Sequence, residues 1–215
     1  MDLCRKYAPR LLSDLRGQPD VVSKLKGFVS RPHGRAFLFS GGSGVGKTAA
    51  AWALARELNP GLDERNVRIG TTELSSGCQD AESVRELVSR FAYRPIVGRA
   101  SVLILNEAES MHPKAREVWL DALERLPSHS VVVFTTNNPD SFEARFQDRC
   151  AHYRFQDTRP SLLTPIRTLA NDIWRAEVGT SKCPLSADEL CPHGSAPSFR
   201  RAVRRVEEAI QGMAA

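Results

Sequence analysis

The run Gly41-Gly42-Ser43-Gly44-Val45-Gly46-Lys47-Thr48 has the residue types and the spacing to hold a chain of phosphates. Its glycines let the backbone turn tightly, so that successive N–H groups point at phosphate oxygens. A helix expected from Thr48 to Leu58 adds the positive end of its dipole at the same place. Lys47 is placed to reach the β- and γ-phosphates, and Thr48 to set its hydroxyl on Mg²⁺. Gly42, Ser43, Gly44, Val45, Gly46, Lys47, Thr48 and Ala49 are therefore the expected contacts to a nucleoside triphosphate. The apolar stretch Ala36–Ser40 reads as the preceding strand and completes the strand–loop–helix context that the motif requires.

Hydrolysis needs two further groups. One is an acid at a nearby strand end, holding Mg²⁺ through its water shell; the other orients the attacking water. The apolar run Val102–Leu105 ends in Asn106-Glu107-Ala108-Glu109. Glu107 is well placed to polarise a water. Position 106 would ordinarily carry Asp; Asn106 keeps an acceptor oxygen and lacks the charge, so weaker Mg²⁺ binding and slow hydrolysis are expected. Asn137 follows the strand Ser130–Thr136, where a polar side chain can touch the γ-phosphate or the water.

These groups must be carried by a sheet. Val102-Leu103-Ile104-Leu105 and Val131-Val132-Val133-Phe134 are apolar without alternation, as in a strand buried on both faces of a parallel sheet. The further strand candidates are Asn66–Ile69 and Tyr153–Gln156. Between them lie helical patterns: Val84, Leu87, Val88 and Phe91 on one face, and a helix starting at Pro113. The alternation predicts an α/β fold with a five-stranded, mainly parallel sheet flanked by helices. Strand signals stop near Thr158, and 162–177, 187–190 and 198–211 read as helices. The expected division is a nucleotide-binding core over 1–157 and a small all-helical lid over 158–215.

With 215 residues, 41% hydrophobic and 26% charged, the chain suits one mid-sized domain, or one with a small appendage. No apolar run approaches the roughly 18–20 residues that span a bilayer, and the stretch Met1–Lys6 has no signal-peptide character. A cytoplasmic protein with no membrane partner is expected. Five scattered cysteines suggest no disulfide framework. Cys183, Cys191 and His193 lack the paired spacing of a zinc site. A net charge of +5 permits a nucleic-acid partner without requiring one.

Downstream of Asn137 comes Arg149, in Gln147-Asp148-Arg149-Cys150. The loop, Glu107, Asn137 and this arginine at their spacing resemble the AAA+ ATPase family, and within it the clamp-loader subunits: replication factor C small subunits and bacterial DNA polymerase III loader subunits. The resemblance implies that ATP and Mg²⁺ bind between core and lid. It makes Asn137 the first sensor residue and Arg149 an arginine finger, which enters a neighbouring subunit's ATP site. Lys6-Tyr7-Ala8-Pro9-Arg10 resembles the segment beside the adenine, which implies contacts from Tyr7 and Pro9, with Val21 and Val22 flanking the base. Phe199-Arg200-Arg201-Ala202 resembles the second sensor, with Arg200 reaching the γ-phosphate. Glu73-Leu74-Ser75-Ser76 resembles the segment between the two nucleotide motifs.

The same resemblance implies partners: other AAA+ subunits in a homo- or hetero-oligomer, a sliding clamp, and primed or duplex DNA met through Arg85 and Arg94. The sequence departs from the family at Asn106, at Ala8 where Arg is usual, and at Asp148 where Ser is usual. Clamp-loader subunits also continue into a helical collar after the lid, and assembly is therefore expected to rest on the ATP-site interface, a partner or a further segment. Two other readings stand beside this one. The first is an ATP-bound scaffold or switch with negligible hydrolysis. The second is another AAA+ machine: a helicase loader, a branch-migration motor or a protein remodeller.

Overall fold

A computed structural model describes residues 2–78, 80–180 and 182–213. The elements are, in chain order, α1 (Leu3–Lys6), α2 (Pro19–Ser30), β1 (Arg35–Ser40), α3 (Lys47–Leu58), α4 (Glu64–Ile69), β2 (Thr71–Ser75), α5 (Ala81–Phe91), β3 (Ser101–Asn106), α6 (Pro113–Glu124), β4 (Ser130–Thr136), α7 (Ala144–Gln147), β5 (Ala151–Arg154), α8 (Arg159–Val178), α9 (Ala187–Leu190) and α10 (Phe199–Met213). The five strands form one sheet in the order β2-β3-β4-β1-β5, and every neighbouring pair is parallel.

The apolar runs explain this order. β3 and β4 are interior strands, and all seven residues of β4 are buried. Their side chains alternate between two cores, as the period of a strand demands. Val131 and Val133 face a layer built with α3, α8 and α10; Val132 and Phe134 face a layer built with α5 and α6. Helices therefore cover both faces of the sheet. Beyond β5 every regular element among the described residues is a helix. Gly179, left-handed at φ 84°, closes α8. Ser186 and Glu189 cap α9 reciprocally. No helix among the described residues is long and apolar enough to cross a membrane.

Two strand expectations are corrected. Residues 66–69 are not a strand but the end of α4, nucleated by Asp63, whose carboxylate accepts from Asn66 N at 2.8 Å. The strand is Thr71–Ser75, at the sheet edge, where half-exposed polar residues replace a continuous apolar run. β5 begins two residues earlier than expected, at Ala151, and gives way after Arg154. Phe155 N still donates to Ser40 O at 2.7 Å, so the ladder outlasts the strand by one bond.

Candidate functional site

The carboxyl ends of β1, β2, β3 and β4 open on one side, where ligands of open parallel sheets bind. A cavity of about 910 Å³ lies there. Its floor is the loop Ser43–Gly46 with Lys47, Thr48 and Ala49; Asn106, Glu107 and Asn137 stand at the strand ends, and Glu73 lines the cavity from the middle of β2. Tyr7, Pro9 and Leu15 form a wall, and Phe199, Arg200 and Val203 of α10 form the opposite side.

The loop is shaped by its glycines. Gly44 and Gly46 have φ of 77° and 108°, which L side chains rarely adopt. A Cβ on Gly44 would also lie 2.1 Å from Ser198 Oγ, so α10 comes down directly on the loop. Phe199 N donates to Gly44 O at 2.9 Å.

Lys47 is 8% exposed. Its ammonium donates to Gly41 O at 2.7 Å, Gly42 O at 2.8 Å and Asn137 Oδ1 at 2.9 Å. All three acceptors are neutral. Burial lowers its pKa to about 8, against the upward pull of Glu109 and Asp157. Gly42 N, among the loop amides, donates to Asp157 Oδ2 at 3.1 Å. A buried cation without a hydrogen-bonded counter-charge, next to an amide already holding a carboxylate oxygen, is a setting that fits an anion such as a polyphosphate.

The metal side is a polar chain. Thr48 Oγ1 donates to Asn106 Oδ1 at 2.8 Å, and Thr135 Oγ1 donates to the same oxygen at 3.0 Å. Asn106 Nδ2 donates to Glu73 Oε1 at 2.6 Å. A hydroxyl, an amide oxygen and a carboxylate are hard oxygen donors, the chemistry that Mg²⁺ takes. Among the described residues no group of three or more His, Cys, Asp or Glu gathers, here or elsewhere, and Cys183 and Cys191 are buried in the core.

Glu107 is exposed at the cavity. Its φ of 54° makes it the one non-glycine with positive φ among the described residues. Ser110 holds the turn, donating to Glu107 O from N at 2.9 Å and from Oγ at 2.6 Å. A left-handed backbone costs a non-glycine residue about 1–2 kcal/mol. Glu107→Gly is therefore expected to stabilise the fold by about 1 kcal/mol, raising Tm by about 2–4 °C for a chain of this size. A thermal melt checks this, and a lower Tm would show that the turn is unstrained.

Among the remaining expected residues, Asn137 is exposed, and its N and Nδ2 donate to Glu109 Oε1 at 3.1 and 3.2 Å. Arg200 lies at the cavity beside Gly44. Tyr7 donates its hydroxyl to Glu177 of α8; burial, then that hydrogen bond, push its pKa up to about 12. Val21 and Val22 do not line the cavity: Val21 is in the core at 4% exposure and Val22 packs beside it. Leu15 stands in the wall where those valines were expected, because the buried face of α2 turns Val21 and Leu25 inward. Arg149 is away from the cavity, held by Glu124 through Nε at 3.1 Å and through Nη2, and donating from Nη1 to Arg145 O at 2.7 Å. Arg85 and Arg94 are exposed on another part of the surface. Glu73, Asp157 and Glu109 were not singled out for the site; their roles arise between strands and loops distant in sequence.

The family described as DNA polymerase III, delta subunit, matches residues 69–159. The replication factor C small subunit of Methanosarcina acetivorans is 32% identical over 154 residues, 70% of this chain and 45% of that protein. DNA polymerase III subunit gamma/tau of Mycobacterium tuberculosis is 32% identical over 190 residues, 79% of this chain and 32% of that one. The chain thus spans about half the length, or less, of the curated relatives it matches. In fold it is similar to the RuvB Holliday junction branch migration motor of Thermotoga maritima, with a TM-score of 0.72 at 16% identity, over 97% of this chain and 68% of that one. These likenesses and the loop, sheet and helical tail agree, and the chain belongs to the AAA+ family, within which it resembles the clamp-loader subunits.

Proposed function

We propose that the chain binds ATP with Mg²⁺ in the cavity between sheet and helical tail, and hydrolyses it as one subunit of a clamp-loader-like assembly in DNA replication or repair. The observation that carries this reading is Lys47, a buried cation with only neutral hydrogen-bond acceptors at the floor of the cavity. In this reading residues 1–157 form the nucleotide-binding core and 158–215 the lid. Lys47 and the loop amides of Gly42 to Thr48 take the phosphates, and Tyr7, Pro9 and Leu15 flank the base. Thr48 and Asn106 orient the metal's ligands. Bound there, Mg²⁺ would supply positive charge beside the phosphates.

Glu107 stands at the end of β3 with its carboxylate free to take a proton from water. Asn137, bonded both to Lys47 and to Glu109, reports a change at the phosphates to the strand end. Arg200 adds a second cation from the lid. Arg149 acts on a neighbouring subunit, which its position away from the cavity supports. Arg85 and Arg94 are exposed cations available to a DNA backbone, whereas Arg125 pairs with Asp121 at 3.6 Å on its own helix. Partners are other AAA+ subunits and a sliding clamp.

The test is ATP turnover per subunit against protein concentration, with and without primed DNA. Turnover rising with both supports an assembled, DNA-linked ATPase. A second reading rests on Asn106: an ATP-held scaffold with negligible hydrolysis. Tight ATP binding with turnover no higher than that of Lys47→Ala would favour it and overturn the first.

A further inference from the structure

We propose that Glu73, on the neighbouring strand, supplies the negative charge at the metal side of the site that Asn106 does not carry. The inference rests on the reading that Mg²⁺ and nucleotide bind here. β2 and β3 run parallel, with Ser75 opposite Asn106, and Glu73 reaches the strand end from β2. Asn106 Nδ2 donates to Glu73 Oε1 at 2.6 Å. The amide has one possible orientation. A carboxylate oxygen only accepts, so the nitrogen of Asn106 must face Glu73, and its oxygen faces the hydroxyls of Thr48 and Thr135.

The other carboxylate oxygen is fixed as well. Trp52 Nε1 donates to Glu73 Oε2 at 2.7 Å, and Trp52 sits one helical turn beyond Thr48 on α3. Glu73 is thereby pinned from two sides beside Thr48 and Asn106, with all three on the cavity. Each of its oxygens accepts one of these bonds and keeps acceptor capacity for a metal-bound water.

Asn106 and Glu73 are matched to each other. An Asp at 106 would set two carboxylates against each other where there is now a hydrogen bond of 2.6 Å, and like charges at that distance repel strongly. An Asn at 106 removes the repulsion and donates to the displaced charge. The site therefore keeps one carboxylate, moved from β3 to β2 by one hydrogen bond. Loss of the acid at 106 is compensated, and Mg²⁺ is held through its water shell by Glu73 together with Asn106.

The test is a charge swap read by divalent-ion affinity, with Mn²⁺ titrated into nucleotide-loaded protein and followed by electron paramagnetic resonance. Nucleotide affinity in EDTA and thermal melts serve as controls. Glu73→Gln, which keeps an acceptor for Trp52, is expected to weaken Mn²⁺ binding about tenfold or more, with nucleotide affinity in EDTA unchanged. Glu73→Gln combined with Asn106→Asp is expected to return Mn²⁺ affinity to within about threefold of the parent. Asn106→Asp alone is expected to gain nothing. The proposal is overturned if Glu73→Gln leaves Mn²⁺ affinity unchanged, or if Asn106→Asp alone tightens Mn²⁺ binding about tenfold or more over the parent. Those outcomes leave the nucleotide site itself intact. ATP binding that persists unaltered in Lys47→Ala would instead remove the site, and this proposal with it.

Discussion

Lys47→Ala is expected to weaken ATP binding by about a hundredfold or more at neutral pH, because it removes a buried cation from the phosphates it would pair with. The fold itself should not suffer. Lys47 is 8% exposed and hydrogen-bonded only to neutral oxygens, with Glu109 and Asp157 acting on it from a distance, so an alanine relieves the cost of burying a charge. The Tm of the variant without nucleotide should equal or exceed that of the parent, while the rise of Tm on adding ATP disappears. Calorimetry and a thermal melt separate these effects. A variant that melts lower and still binds ATP would overturn the assignment.

The same lysine gives the binding a pH dependence. Burial holds its pKa near 8 in the free chain, and bound phosphate anions favour the charged form and raise it. Below about 8 the ammonium is already present and binding takes up no proton at this group. Above it, binding must first protonate Lys47, and affinity falls by up to about tenfold per pH unit until the pKa of the complex is reached. The fall should be absent in Lys47→Arg, whose cation does not titrate in that range.

Arg149→Ala is expected to lower ATP turnover of the assembled protein by about a thousandfold or more, with ATP affinity nearly unchanged. The residue lies away from its own cavity, so its loss leaves the local phosphate contacts in place. Its guanidinium is exposed enough to leave Glu124 for a neighbour: the pair is solvated, and solvated pairs contribute little to stability. Mixing distinguishes action on a neighbour from action at home. Lys47→Ala subunits keep the arginine and lack the site; Arg149→Ala subunits keep the site and lack the arginine. A mixture that regains turnover supports action across an interface. A mixture as inactive as its parts means that Arg149 serves its own subunit or none. Lys at 149 should rescue little, since an ammonium does not reproduce the planar fork.

The parts of the fold legible in sequence were those whose cause is local or whose burial is complete. The phosphate loop is contiguous, and its glycines, Lys47 and Thr48 fall where the spacing places them. β3 and β4 announce themselves because interior parallel strands are apolar on both faces. β2 did not, because an edge strand exposes Glu73 and Ser75, while the nearby Val67 and Ile69 mimic a strand inside a helix capped by Asp63. Val21 and Val22 were expected at the base, but the packing of α2 on the core decides which of its faces is hidden, and that is a tertiary fact. Glu73 matters through a bond to a residue one strand over, which no spacing along the chain encodes.

The cavity draws its wall from residues near the start of the chain, its floor from the loop at 43–49, and its far side from Phe199, Arg200 and Val203. Phe199 is tied to that floor by its bond to Gly44. During synthesis the complete pocket therefore exists only after residue 203 has left the ribosome and α10 has docked. Until then the chain has a sheet and a phosphate loop without an enclosed binding site. Full ligand affinity thus follows the docking of α10, and a chain that holds nucleotide tightly has already brought Tyr7 and Pro9 together with Phe199 and Arg200.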